Sequence, residues 1–77
     1  MEKQVREMIA EVKPGIGAEN IGSELDLNDA GFDSLDIASL LLAIQERFNL
    51  QISDDDAEGL VTIDAIAAYL AANAKSA

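Results

Sequence analysis

The chain has 77 residues and a formal net charge of -10, and it contains no cysteine and no histidine. This length allows one domain with a thin hydrophobic core, and the lack of cysteine excludes disulfides and thiolate metal sites. The composition is 49% hydrophobic but only 4% aromatic, which favours a small helical bundle over a sheet sandwich or a disordered chain.

The acidic excess lies in the middle of the sequence. Between residues 15 and 59 the acidic side chains are opposed by a single basic residue, Arg47. Nucleic acid is therefore not expected as a partner, because phosphate binding requires clusters of Lys and Arg. A basic protein surface is a better match, although acidic residues also serve simply to keep small proteins soluble.

The first segment predicts an amphipathic helix that ends before Pro14 and Gly15. Its apolar positions are Val5, Met8, Ile9 and Val12. The same segment is charged and lacks the apolar stretch of a signal peptide, and no apolar run in the sequence is long enough to span a membrane. We therefore expect a cytoplasmic protein without a membrane span.

A long loop, roughly residues 15–32, follows the first helix. Loops of this length in compact domains are usually functional or contain a short turn of their own. Apolar residues within it predict that it packs onto the helices. These residues are Ile16, Ile21, Leu25 and Leu27.

The second helix is predicted to begin at Ser34, with Asp33 as its N-cap and Asp36 completing a capping box. Its core-facing stripe consists of Ile37, Leu40, Leu41, Ile44 and Phe48. Leu35 and Leu42 fall on the opposite side of the helix and should be exposed.

An apolar stripe with polar edges is typical of a docking surface. The predicted surface consists of Leu35, Ala38, Ser39, Leu42 and Glu46. The alternative is that these are isolated surface leucines without a function, which are common in soluble proteins.

Two further helices are predicted. Ser53 and Asp56 indicate the start of a short helix that ends near Gly59. Thr62 is the expected N-cap of the last helix, whose apolar positions are Ile63, Ile66, Ala67 and Leu70.

The residues available for chemistry are few. Without histidine or cysteine the chain lacks the usual general base and the usual thiol nucleophile, so we do not expect an enzyme. Ser34 lies at a helix N-terminus, where a phosphate group is favoured. Because Asp33 and Asp36 would repel a free anion, a phosphate at this point would have to be attached covalently.

The sequence around Ser34 resembles the phosphopantetheine attachment site of the acyl carrier proteins. The resemblance begins with Gly31 and Asp33-Ser34-Leu35, includes Glu46-Arg47-Phe48, and continues through residues 52–58 to Thr62 and the last helix. It implies a single acyl carrier domain over residues 1–77. The implied fold class is all-α: a small four-helix bundle with three main helices, one short helix and a long loop between helices 1 and 2. We expect a monomer.

The resemblance also implies a function. Ser34 would receive 4'-phosphopantetheine from coenzyme A through a phosphopantetheinyl transferase, and acyl groups would be carried as thioesters on its thiol. Asp33 and Asp36 would guide the transferase, while Leu35, Leu42 and Glu46 match the face that such carriers present to partner enzymes. Those partners would be an acyl-loading ligase or transacylase and a ketosynthase or other acyl-processing enzyme.

The sequence departs from carriers of the housekeeping fatty-acid type. Ser39, Gln45 and Arg47 occupy positions where glutamates are common in that family, and Ala30 stands where a leucine often precedes the glycine. Fewer carboxylates mean fewer ion pairs with basic partners, each worth about 1 kcal/mol at most. We therefore hypothesise a specialised carrier for a polyketide, a modified lipid or an activated amino acid. Peptidyl carriers are near relatives, but they commonly have Gly-Gly-x-Ser at this site.

Two other functions remain open from the residues alone. Segments 26–31 and 54–59 begin like EF-hand calcium loops, but position twelve is Ile37 in the first and Ala65 in the second, so both lack the bidentate glutamate. Weak divalent-cation binding is still compatible with these loops. The third possibility is an unmodified acidic docking module, for which Ser34→Ala would be functionally silent.

Overall fold

The fold is all-helical over residues 1–73, which are the residues described by the computed structural model. Helix α1 covers Glu2–Val12, α2 covers Ser34–Phe48, α3 covers Asp54–Glu58 and α4 covers Ile63–Asn73. A single 3-10 turn, Ala18–Asn20, lies in the loop between α1 and α2. The predicted class, with three main helices, one short helix and a long first loop, is confirmed.

Helix α1 packs against both α2 and α4, and the three helices together form most of the core. The buried residues of these helices are Val5, Met8, Ile9, Leu40, Leu41, Ile44, Ile63, Ile66 and Leu70. Their spacing of three or four residues places them on one side of each helix. The periodicity therefore identified the core of the bundle correctly.

Helix boundaries follow the predicted caps. The Ser53 hydroxyl accepts a hydrogen bond from the backbone N–H of Asp56 at 3.1 Å, and the Thr62 hydroxyl accepts one from the N–H of Ala65 at 3.0 Å. Each bond satisfies a backbone donor that has no partner within its own helix. Helix α2 is followed by Asn49, which adopts the left-handed conformation with φ 54°, as is usual at helix C-termini.

The loop between α1 and α2 is held by hydrogen bonds to its backbone groups. The Arg6 guanidinium donates to the carbonyls of Ala18 and Ile21 at 2.8 and 2.7 Å. Further along, the N–H of Leu27 donates to the carbonyl of Val61 at 2.7 Å. Close to that point, the N–H of Asp64 donates to the carbonyl of Ser23 at 2.9 Å. The loop is thereby attached to α1 and to the beginning of α4.

Several loop residues differ from the predicted burial. Ile21 and Leu27 are buried as expected, but Leu25 is 41% exposed. It lies at the end of a turn in which its N–H donates to the Gly22 carbonyl. Phe32 and Leu60 are buried although neither was predicted to be in the core. Both lie outside the helices, where no periodic pattern identifies buried positions.

Two residues of the predicted α2 stripe, Ile37 and Phe48, are only half-buried. They lie in the first and last turns of α2. Both pack against the core, so the predicted core-facing stripe is confirmed, with these two residues as its partly exposed ends.

Candidate functional site

The site is built at the start of α2. Ser34 is the first residue of the helix and is exposed. The N-cap is Asp33, whose Oδ1 accepts a hydrogen bond from the N–H of Asp36 at 2.9 Å. In return, Oδ2 of Asp36 accepts one from the N–H of Asp33 at 3.2 Å. This confirms the predicted capping box, and it means that the Ser34 hydroxyl is not required to cap the helix.

The turn before the site requires glycine. Gly31 has φ +113°, a conformation that side-chain-bearing residues rarely adopt. It is followed by Phe32, which is 3% exposed and belongs to the core. The turn and the buried ring together fix the point at which Asp33 and Ser34 leave the loop and enter α2.

Lys13, at the end of α1, is a member of the site that the sequence did not reveal. Its Nζ lies 2.7 Å from Oδ2 of Asp36 and donates a second hydrogen bond to the Gly31 carbonyl at 3.0 Å. It therefore joins α1 to the glycine turn and to the first turn of α2. The sequence separation of 23 between Lys13 and Asp36 places the pair beyond the reach of any local pattern.

This ion pair shifts both groups toward their charged forms. The hydrogen bond from Lys13 and that from the Asp33 N–H hold the pKa of Asp36 below its ordinary value. The hydrogen bond to Asp36 raises the pKa of Lys13 above its ordinary value. One negative charge at the start of α2 is thus balanced within the molecule.

The outer side of α2 exposes apolar surface, as predicted. Leu35 is 77% exposed and Leu42 is 56% exposed. Ala38, Ser39 and Glu46 are also exposed. We call these five residues the partner face. Their exposure is confirmed, whereas their role in binding a partner stays a prediction.

Two of the residues that depart from the acidic pattern have structural contacts. The Gln45 Oε1 accepts a hydrogen bond from the N–H of Ile52 at 2.9 Å, which ties the end of α2 to the following loop. The guanidinium of Arg47 lies 2.9 Å from Glu11 and links α2 to α1. Neither residue adds negative charge to α2, and Glu46 is the one carboxylate among the five residues of the partner face.

The start of α2 has the features that a covalently attached phosphodiester needs. The first N–H groups of a helix have no backbone partner, and the helix dipole makes this end positive. The exposed position of Ser34 leaves room for a long substituent in solvent. The ion pair of Lys13 with Asp36 also removes part of the repulsion that a phosphate would meet from nearby carboxylates. These residues therefore fit a phosphate-linked group.

The two acidic segments that begin like calcium loops have other structures. In the first, Oδ1 of Asp26 accepts hydrogen bonds from the backbone and side-chain nitrogens of Asn28 at 2.8 and 2.9 Å. In the second, Asp54–Glu58 form α3. Within residues 1–73, no three histidine, cysteine or acidic side chains are grouped so that they could hold a metal ion. In the same part of the chain, no helix has both the length and the apolar character needed to cross a membrane.

Comparisons with known proteins agree with this geometry. A sequence model of the family described as "Phosphopantetheine attachment site" matches residues 3–70. An acyl carrier protein of Bdellovibrio bacteriovorus is 38% identical over 74 residues, which cover 95% of this chain and 94% of that protein. An acyl carrier protein of Desulforapulum autotrophicum is 35% identical over 71 residues, or 91% of this chain and 92% of that protein. The chain therefore belongs to the acyl carrier protein family, whose members carry acyl groups on 4'-phosphopantetheine.

Proposed function

We propose that Ser34 is the residue to which 4'-phosphopantetheine is attached. The observation that carries this proposal is the division of roles at the start of α2. Asp33 caps the helix through the N–H of Asp36, while Ser34 occupies the first helical position with an exposed side chain. Its hydroxyl is therefore available to a modifying enzyme without loss of the cap.

The chain itself contributes the site and the presentation of the arm rather than a reaction. It has no cysteine and no histidine, so its own side chains offer neither a thiol nor a group that titrates near neutral pH. The bound cofactor supplies the thiol on which acyl groups are carried. We accordingly propose a non-catalytic carrier, formed by a single domain over residues 1–77 and monomeric.

The partner face is the proposed contact surface for the enzymes that use the carrier. Leu35 directly follows Ser34, so an enzyme that reaches the arm also covers this leucine. Leu42 lies two helical turns further along the same side. Exposed leucines next to polar groups are suited to an apolar groove, with Asp33 and Glu46 available for basic residues at its ends.

The proposed partners follow from the chemistry of the arm. A phosphopantetheinyl transferase attaches it, a ligase or transacylase loads it, and a ketosynthase or another acyl-processing enzyme receives the acyl group. The proposed location is the cytoplasm, where coenzyme A is available to the transferase.

We further propose that the carrier serves a specialised pathway, making a polyketide, a modified lipid or an activated amino acid. Support comes from the sparse charge of its partner face, where Ser39 replaces a carboxylate that is common in fatty-acid carriers. Gln45 and Arg47 are engaged within the molecule and do not add negative charge. The affinity for a housekeeping ketosynthase tests this point: we expect weaker binding than that of the main carrier from the same host, and equal affinity contradicts the proposal.

The attachment site can be tested by intact-mass spectrometry. The wild type, Ser34→Ala and Ser39→Ala are incubated with coenzyme A and a broad-specificity phosphopantetheinyl transferase. Ser39 is the matched control, because it is a second exposed serine on α2. We expect one phosphopantetheine on the wild type and on Ser39→Ala, and none on Ser34→Ala. Modification of Ser34→Ala, or an unmodified but folded wild type, overturns the assignment.

A further inference from the structure

The ion pair between Lys13 and Asp36 lies two residues from the proposed attachment point. Nζ of Lys13 approaches Oδ2 of Asp36 to 2.7 Å and is also bonded to the Gly31 carbonyl. The Lys13 side chain is 39% exposed and the Asp36 side chain 25% exposed. The carboxylate is therefore accessible at the surface, but its charge is already balanced by a lysine of the same molecule.

An enzyme that modifies Ser34 must cover the first turn of α2, which includes Asp36. Its other substrate, coenzyme A, carries several phosphates. The enzyme surface beside Ser34 must consequently contain Lys or Arg residues that bind phosphate. A free carboxylate at Asp36 would attract those cations and promote docking. The paired carboxylate offers such attraction only after Lys13 has been displaced.

We infer that Lys13 is a specificity-determining residue that limits docking of the phosphopantetheinyl transferase by occupying the Asp36 carboxylate. This inference rests on the proposed function of Ser34. Of the two acidic residues at the start of α2, Asp36 is paired with Lys13, and Asp33 is the one that remains for the transferase. Transferases that dock mainly through apolar contacts to Leu35 and Leu42 are favoured over those that require acidic residues beside the serine.

The test compares kcat/KM for transfer of phosphopantetheine to the wild type, Lys13→Met, Asp36→Asn and the double variant. Exposed ion pairs are weak, so releasing Asp36 should raise kcat/KM of Lys13→Met by up to about fivefold at low salt. The increase should shrink at high ionic strength. Lys3→Met is the control, because it removes a lysine from the opposite end of α1 and changes the net charge equally.

Non-additivity is the decisive feature. Asp36→Asn should reduce kcat/KM more in the Lys13→Met background than in the wild-type background, since only there is the carboxylate free. Equal reductions in the two backgrounds overturn the inference, because they mean that the enzyme uses Asp36 despite Lys13. An increase in Lys13→Met no larger than in Lys3→Met also overturns it, because general charge then explains the change.

Two further variants separate docking from folding. Lys13→Arg retains the charge and should behave like the wild type. Lys13→Gln removes the charge but keeps a hydrogen-bond donor for the Gly31 carbonyl, and it should reproduce the increase even if Lys13→Met is unstable. A folded Lys13→Gln variant with wild-type or reduced kcat/KM contradicts the inference.

A binding measurement provides a readout that does not depend on modification. In a Ser34→Ala background, Lys13→Gln should lower the Kd for the transferase, and the decrease should disappear at high salt. An unchanged Kd overturns the inference. Failure of the proposed function looks different, since the wild type itself would then remain unmodified in the intact-mass experiment.

Discussion

The hydroxyl of Tyr69 donates a hydrogen bond to the Asp56 carboxylate at 3.0 Å and so joins α4 to α3. Helix α3 has only five residues and none of them is buried, so this bond is one of the few side-chain contacts that hold it in place. Burial, followed by the hydrogen bond to Asp56, raises the pKa of Tyr69 above its ordinary value.

The raised pKa predicts an alkaline limit to stability. The folded state favours the neutral phenol, so this contribution is complete below the ordinary tyrosine pKa of about 10 and is lost as pH rises through the raised value. Tyr69 is the single tyrosine of the chain, which has no tryptophan, so tyrosinate absorbance reports on it directly. We expect the pKa of Tyr69 to be higher in the folded protein than in urea. Asp56→Asn should reduce the difference, and coincident titrations contradict the prediction.

Removing the same bond should loosen α3 selectively. In Tyr69→Phe we expect faster hydrogen exchange for the backbone amides of Asp54–Glu58, while the amides of α1 exchange as in the wild type. The reason is that α3 opens locally when few buried contacts resist it. A uniform change over both helices would mean that the substitution acts on global stability instead.

The substitution of leucine by alanine should have very different effects on stability at Leu40 and at Leu42. Leu40 is fully buried in the core, whereas Leu42 is 56% exposed. Leu40→Ala should lower the free energy of unfolding by about 3 kcal/mol, which is a large part of the stability of a domain this small. Leu42→Ala should change it by less than about 0.5 kcal/mol. Urea denaturation measures both values.

The same pair separates folding from partner binding. Leu42→Ala should weaken binding to an acyl-processing enzyme although its stability is unchanged, because the apolar contact of the partner face is lost. Normal binding by folded Leu42→Ala argues against the partner face. Leu25→Ala serves as the control, because Leu25 is an exposed leucine outside the partner face.

Asp33 combines a structural role with a charge, and two substitutions distinguish them. Asp33→Ala removes the N-cap and should lower the free energy of unfolding by about 1 kcal/mol, whereas Asp33→Asn keeps a capping oxygen and should cost much less. If the charge guides the transferase, both variants should reduce kcat/KM for modification by the same factor. A reduction only in Asp33→Ala assigns the effect to the cap.

The ion pair of Lys13 with Asp36 predicts an acid-sensitive contribution to stability. Because the folded state lowers the pKa of Asp36, this contribution is present above the ordinary aspartate value of 3.8 and is lost as pH falls through the lowered value. Asp36→Asn should therefore flatten the acid limb of the stability curve. Because the raised pKa of Lys13 depends on the same pair, the substitution should also flatten the alkaline limb above the ordinary lysine value of 10.5. Thermal unfolding over an acidic pH series measures this, and parallel curves for the two proteins contradict it.

Local sequence patterns predicted much of the fold and part of the site. The capping box of Asp33 and Asp36 needs only a spacing of three residues. Helical periodicity was sufficient to predict that Leu35 and Leu42 are exposed. Both features depend on neighbours within one or two turns. They could therefore be predicted without knowledge of the remaining chain.

Contacts between distant segments could not be predicted in this way. The Lys13–Asp36 pair and the Tyr69–Asp56 bond connect different helices, and their formation depends on how the helices pack. Gln45 was interpreted only as a missing carboxylate, although its side chain accepts a hydrogen bond from the N–H of Ile52. The burial of Phe32 likewise depends on how the loop is attached to the bundle, which no periodic pattern describes.

The attachment of the first loop to α4 has a consequence for redesign. Leu27 bonds to Val61 and Asp64 bonds to Ser23 through backbone atoms, so these two attachments do not depend on which side chains the loop exposes. The exposed positions between them, such as Glu24 and Leu25, can be exchanged while the backbone path is retained. The loop is therefore a segment in which new recognition residues can be introduced without rebuilding the bundle.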